Sequence, residues 1–401
     1  MSHASVRLQI AGQGRATELV LPEVEVPGLY VHVPFCFHKC HYCDFYSITR
    51  QDPQRMERFV DLVLREAKQW DGAGPTVRPR TVFFGGGTPT LLPLEAMRRL
   101  VRGLKERFDF GGLEEWTVEA NPATVNEGYA EMLRDEGVDR LSFGAQSFRE
   151  AELAVLERHH VAGDVERSVE IARRAGFRRL NVDLIYAIPG QDMESWRRSL
   201  ARALELGTEH VSAYNLTYEP NTPMAVKKRL GAIRPVEEEV ELQMLRESRR
   251  MMRAAGLEAY EISNYARPRG ECRHNLLYWN GGSYVGLGPS AASHVSGWRW
   301  KNRGHLGEWE EAIGAGRLPA GDVEQLSGEQ RAAELVMLQL RLARGVEFAE
   351  FTARTGTDAR EVYGELIERL RKLGLIWVSE RGFGLTEAGV DVADAVAAEF
   401  L

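Results

Sequence analysis

Six short segments of strand character, at residues 29–33, 81–84, 116–119, 140–144, 180–185 and 210–216, alternate with amphipathic stretches at 55–70, 94–108, 126–136, 165–175 and 195–206. This alternation constrains the fold more than any other feature. A helix-length crossover between two strands returns the chain to the same edge, so the strands run parallel with helices covering them. Six such units predict an α/β chain built on an open six-stranded (β/α)6 barrel rather than a closed barrel of eight. In such folds the site lies at the C-terminal ends of the strands. A further helix is expected at 242–255 and an extended piece at 258–265, after which the pattern loosens into a connection at 304–319. From residue 329 the character changes: helices at 329–342, 347–355 and 360–373 precede a strand, glycine turn and strand at 375–385, which reads as a small C-terminal winged-helix-like domain. The expected division is an N-terminal extension 1–28, a barrel with a motif-bearing extension 29–300, a linker 301–328 and the C-terminal domain 329–401.

Directly after the first strand come Cys36, Cys40 and Cys43, spaced C-x3-C-x2-C. Three thiolates on a short loop can cap three irons of a [4Fe-4S] cluster, whose full protein ligation takes four cysteines. The missing fourth ligand leaves one iron open to a small molecule. A zinc knot completed by His38 or His41 is the competing reading, although structural zinc sites usually pair C-x2-C with a second, distant pair. The chain has four cysteines in all, shows no signal peptide, and lacks any apolar run near the roughly 20 residues of a membrane span. These features predict a cytoplasmic protein whose thiols are ligands or nucleophiles rather than disulfide partners.

A net charge of −7 argues against general nucleic-acid binding, which needs a basic face. The winged-helix-like segment is itself acidic, with Glu347, Glu350, Asp358, Glu361, Glu365 and Glu368.

Three other features carry chemistry. Gly85-Gly86-Gly87-Thr88-Pro89-Thr90 follows the second strand, where glycines let a backbone approach a ligand. Glu119 ends the third strand, and Asp183 interrupts an otherwise apolar one; both stand where barrels keep their sites. His274-Asn275-Leu276-Leu277-Tyr278-Trp279 sets an imidazole beside two aromatic rings, a pattern open to a structural histidine or to an axial ligand flanked by stacking rings.

The run Tyr30-Val31-His32-Val33-Pro34-Phe35-Cys36, continued through Cys40, Tyr42, Cys43, Asp44 and Phe45, resembles the cluster loop of radical S-adenosylmethionine proteins. Within that superfamily the chain is similar to the family of oxygen-independent coproporphyrinogen III oxidase and its heme-chaperone relatives, from about Leu29 to the C-terminal domain. The resemblance implies the same barrel, a [4Fe-4S] cluster on Cys36, Cys40 and Cys43, and S-adenosylmethionine chelated at the open iron. It further implies that Gly86, Gly87 and Thr88 contact the methionine part, that Tyr30 lies beside the ligand, and that Glu119 accepts from the ribose hydroxyls. Gln146, Arg158 and Asp183 match family positions that line space for a second molecule of S-adenosylmethionine in the oxidase. The motif of His274, Asn275, Tyr278 and Trp279 resembles the heme-binding motif of the chaperone branch, with His274 expected as axial ligand and Cys272, His294 and His305 as further candidates.

Two departures favour the chaperone branch over the oxidase. Family oxidases carry another cysteine two residues after the third ligand, where this chain has Phe45, and they have a longer segment before the first strand. The expected function is heme delivery to apo-hemoprotein acceptors of the respiratory chain, with an electron donor such as flavodoxin or ferredoxin, a peripheral membrane association and a dimer left open. The alternative is radical oxidative decarboxylation of coproporphyrinogen III, and a third reading is a zinc-stabilised binding protein.

Overall fold

In the computed structural model, which describes residues 5–11, 16–49, 52–71 and 75–401, the chain begins with an antiparallel hairpin of β1 (Ser5–Ala11) and β2 (Ala16–Pro22). Then β3 (Glu25–Val33), β4 (Thr76–Gly86), β5 (Glu115–Ala120), β6 (Arg140–Gln146), β7 (Arg179–Tyr186) and β8 (His210–Asn215) lie side by side in chain order, each parallel to the last. The crossovers are α1 (Pro53–Lys68), α2 (Leu94–Arg107), α3 (Glu127–Asp135), α4 (Glu150–Leu156), α5 (Ala162–Arg174) and α6 (Met193–Glu205). Each of the six expected strands and five expected crossover helices is present, with ends shifted by a few residues.

Local chemistry explains these starts. Asp52, Asn126 and Asp192 accept backbone N–H bonds at the first turns of α1, α3 and α6, satisfying donors that a helix leaves orphaned. The α1 stripe of Met56, Phe59, Val60 and Val63 then buries against the sheet.

After β8 come α7 (Pro223–Arg229) and α8 (Glu238–Ala254), then the antiparallel edge strands β9 (Glu258–Ala259) and β10 (Asn264–Ala266). The motif-bearing α9 (Arg273–Trp279) leads into β11 (Tyr284–Leu287), which pairs parallel to β3. Antiparallel β12 (Ala292–Val295), β13 (Trp298–Asn302) and β14 (Ala320–Gln325) extend that edge, so β11 joins the six expected strands as a seventh parallel one and these form the centre of a twelve-stranded sheet. β9 and β10 fall in and just beyond the extended piece expected at 258–265, whereas β11, β12, β13 and β14 are four to six residues each, too short for a reading based on period to show.

The stretch 304–319, read as a loose connection, contains α10 (Leu306–Gly314). Its glycines weaken the helix signal, but Leu306, Trp309, Ala312 and Ile313 bury one face, and Trp309 packs on Phe59 with ring centroids 5.7 Å apart. Residues 301–328, expected as a linker, thus contribute a helix and a strand to the main body.

The C-terminal part comprises α11 (Gly328–Leu340), β15 (Val346–Glu347), α12 (Phe348–Thr355), α13 (Ala359–Lys372), β16 (Ile376–Val378) and β17 (Gly382–Leu385), followed by two short helices. Its three-stranded sheet, ordered β15-β17-β16, closes over a separate core containing Val336, Phe351, Ile367 and Phe383.

Candidate functional site

The loop after β3 is tied at its neck. Ile48 N–H donates to Pro34 O at 2.7 Å and Cys36 N–H to Ile48 O at 3.0 Å, so the cysteines project from a closed loop. The glycine loop after β4 presses against it: Gly87 N–H donates to Val33 O at 2.8 Å and Thr88 N–H to Phe35 O at 2.7 Å. Only glycine fits there. A Cβ on Gly87 would lie 2.6 Å from Phe35 O, and Gly86 has φ +100° with the His32 ring beneath it.

Cys36, Cys40 and Cys43 open onto one cavity of about 430 Å³ at the C-terminal ends of the strands, together with Gly86, Gly87, Thr88, Glu119, Gln146, Arg158 and Asp183. Tertiary structure thereby gathers ten of the eleven residues expected around cluster and nucleotide. Gln146 reaches the cavity because β6 breaks register between Gly144 and Gln146, where φ is +64°; such a bulge re-aims a side chain. Tyr30 is the eleventh and does not line the cavity. Its hydroxyl lies 3.1 Å from His32 Nδ1 and its ring stacks on Phe83.

The carboxylates are unusual. Burial pushes the Glu119 carboxyl up to about 8, the nearby Asp183 adds to this, and the Gly86 N–H offsets part. Burial also raises Asp183, against hydrogen bonds from Ser212, Ser142 and Asn181; the Ser142 and Asn181 contacts are each 2.8 Å. Arg158 donates to Gly144 O at 2.6 Å and lies 3.6 Å from Cys40 Sγ. Burial raises Cys36 and lifts Cys43 to about 11, so these thiols stay protonated until a metal displaces the proton.

The donor set suits a cluster better than zinc. Both ring nitrogens of His41 are engaged, one with Glu157 at 3.2 Å and one with Lys227 at 2.9 Å, and His38 Nε2 pairs with Glu157 at 3.1 Å. Neither is set to complete a knot with the thiols. A glycine cradle against the cysteine loop and a buried carboxylate facing the same cavity fit a nucleotide-bearing ligand of the open iron.

The expected heme motif lies elsewhere. α9 packs against Thr81 and Phe83 in the middle of β4 and Glu115 at the start of β5, and His274 has 0% exposure. Its Nδ1 is 2.8 Å from Thr81 Oγ1, its Nε2 is 2.8 Å from the Tyr278 hydroxyl, and its ring stacks on Phe83. Burial lowers its pKa to about 3. As folded, neither nitrogen is free to bind iron, which corrects the expectation of an open axial ligand. Asn275 hydrogen-bonds Tyr260, and Trp279 lies under the Arg341 guanidinium at 4.6 Å. Cys272 Sγ donates to Glu115 at 3.3 Å, and His294 is held by Gly282 O and Gly297 N–H. His305 is exposed at the start of α10.

Sequence reading missed Tyr42, Ser142, Tyr214, Asn215, Thr217 and Glu219, all of which line the cavity. Tyr214 and Asn215 end β8, where the strand-end rule that singled out Asp183 applies equally. Tyr42 lies inside the cysteine run itself.

Residues 30–203 match the radical SAM superfamily, and residues 326–392 match the HemN C-terminal domain. The chain is 32% identical to the heme chaperone HemW of Lactococcus lactis subsp. lactis, over 93% of this chain and 96% of that protein. It is 34% identical to HemW of Bacillus subtilis, over 93% and 98%, and 36% identical to HemW of Escherichia coli, over 67% and 70%. Among solved structures, coproporphyrinogen III oxidase (HemN) from Escherichia coli superposes with a TM-score of 0.81 at 23% identity, covering 94% of this chain and 90% of that one; this likeness concerns the fold. The cluster loop, the cavity it shares with the glycine loop, and relatives matched along nearly their full length together place this chain in the HemW family of the radical SAM superfamily.

Proposed function

We propose that the chain is a heme chaperone that holds a [4Fe-4S] cluster and S-adenosylmethionine at the mouth of its barrel, binds heme, and passes it to apo-hemoproteins of the respiratory chain. The similarity to curated heme chaperones over 96% and 98% of their length carries this reading. Cys36, Cys40 and Cys43 hold the cluster, which with S-adenosylmethionine supplies one-electron chemistry when bound. Glu119 accepts from the ribose hydroxyls, the Gly86–Thr88 backbone meets the methionine part, and Gln146, Arg158 and Asp183 shape the remaining space. Phe45, in place of the cysteine of family oxidases, is 64% exposed beside the cavity. It removes a thiol from the position where the oxidases keep one.

A flavodoxin or ferredoxin is the proposed electron donor, and the assembled state is proposed to be a dimer. No helix among the described residues is long and apolar enough to cross a membrane; the proposal places the chain in the cytoplasm, associating peripherally with the membrane that holds its acceptors. Anaerobic reconstitution followed by parallel assays tests the function. Heme uptake near one per chain without coproporphyrinogen turnover is expected. Vinyl-bearing porphyrin formed over many turnovers would replace the chaperone with the oxidase.

A further inference from the structure

With His274 sealed inside the fold, the opposite end of the barrel presents an open imidazole. His159 lies in the loop between α4 and α5, directly after Arg158, and is exposed. Among the described residues its neighbours are rings. The His38 ring meets it edge-on with centroids 4.6 Å apart, and Phe37 does so at 6.1 Å. Its two nitrogens have no hydrogen-bond or ion-pair partner among the described residues, whereas His38 and His41 are both held by Glu157.

The surroundings of this imidazole are apolar and basic. Phe37, between the first two cysteines, and Phe45, two residues after the third, are 67% and 64% exposed, and both border the cavity. Two large aromatic side chains so exposed on one tied loop form a patch that water solvates poorly and a partner would cover. Lys39 lies on the same rim, and Lys227 stands behind His41. A free imidazole, two phenyl rings and adjacent cations match a disc with apolar faces, a metal with a vacant axial position and an anionic edge. The cavity below, about 430 Å³, is the space assigned to cluster and nucleotide.

Resting on the heme-chaperone reading, we infer that heme docks across the mouth of the barrel, with iron bound by His159, the porphyrin against Phe37 and Phe45, and the propionates toward the lysine rim. His38 acts as a positioning residue, holding the His159 ring edge-on. The cargo then sits over the cluster loop instead of against α9. The two sites lie at opposite ends of the parallel strands, so they differ in magnetic contact with the cluster.

The full chain, reconstituted anaerobically with its cluster, is titrated with ferric heme and followed by Soret absorption, and the dithionite-reduced protein is titrated with ferrous heme and followed by electron paramagnetic resonance. Wild type is expected to bind one heme, and the bound heme to speed relaxation of the reduced cluster. His159→Ala should weaken binding at least tenfold and lose the imidazole-ligated spectrum, with cluster iron unchanged; imidazole added to solution should restore that spectrum. The double variant Phe37→Ser, Phe45→Ser should weaken binding while keeping the ligand spectrum. Wild-type affinity and spectrum in His159→Ala, or cluster relaxation indifferent to heme, would overturn the mouth site and leave the chaperone reading intact. No stoichiometric heme uptake by wild type would instead overturn the chaperone reading itself.

Discussion

Glu119 makes binding of S-adenosylmethionine depend on pH in a way that can be worked from the structure. Its carboxyl faces the cavity with one backbone donor, from Gly86, and with Asp183 nearby, and its pKa rises from 4.5 to about 8. Two vicinal hydroxyls are both donors and favour the ionised carboxylate. Binding near pH 7 must therefore expel a proton. One unit between pH and pKa corresponds to about 1.4 kcal/mol, or roughly tenfold in affinity. Affinity should thus climb about tenfold per unit at low pH and level off above 8, giving roughly a tenfold gain between pH 7 and 9 from this group. The ligand's own amino group titrates in the same range, near 7.7–8.0 for an ordinary α-amine, so the share of Glu119 is the difference between wild type and Glu119→Gln. Asp183→Asn removes a like charge and should move the midpoint to lower pH. The assay is anaerobic calorimetry on cluster-loaded protein from pH 6.5 to 9. Parallel slopes in wild type and Glu119→Gln would refute the reasoning, because the buried carboxyl would then not be the proton released.

Four further outcomes are expected. Cys43→Ala should abolish the stoichiometric cluster, and retention of four irons by iron and sulfide analysis would remove Cys43 from the ligand set. Gly87→Ala puts a Cβ 2.6 Å from Phe35 O, so it should part the glycine and cysteine loops and weaken S-adenosylmethionine binding at least tenfold, with unchanged far-UV circular dichroism; wild-type affinity would contradict the cradle. His274→Ala strips hydrogen-bond partners from buried Thr81 and from Tyr278 and leaves a cavity, at a cost of roughly 3 kcal/mol; an unshifted urea midpoint would show that α9 is not locked as described. Glu66 accepts from Gly288 N–H, Trp309 and Asn302, yet burial lifts it to about 7. With its pKa raised from 4.5, the folded state holds the proton more tightly than the unfolded one, so this group's contribution is present below about 4.5 and lost as pH rises to 7, by about 3 kcal/mol. Urea midpoints of Glu66→Gln should lack that component, and identical pH profiles would contradict it.

Much of the barrel was legible because its code is local. Period-two and helical patterns report elements within a dozen residues, and the spacing of Cys36, Cys40 and Cys43 is itself a ligand geometry. The resemblance to the radical S-adenosylmethionine proteins pointed to Glu119, and its place at a strand end, like that of Asp183, agrees with the rule that barrels keep their sites there. The same rule, applied to β8, would have found Tyr214 and Asn215. α10 escaped because its glycines weaken the helix signal, and what holds it is the burial of Trp309 against Phe59, a residue far away in the chain.

His274 marks the limit most clearly. Beside Tyr278 and Trp279 it reads as a ligand, because an imidazole among aromatics carries the same local signal whether it faces solvent or core. What decides is Thr81, 193 residues away, together with Glu115 on the next strand, which hold the helix against the barrel floor. His159 shows the converse: nothing adjacent in sequence distinguishes it, and only the folding of the cysteine loop against the loop after α4 brings Phe37 and His38 to its ring. The sequence by itself determined which chemistry the chain carries and in what order. The tertiary structure decided which imidazole is exposed and which is sealed, because burial depends on contacts between segments distant along the chain.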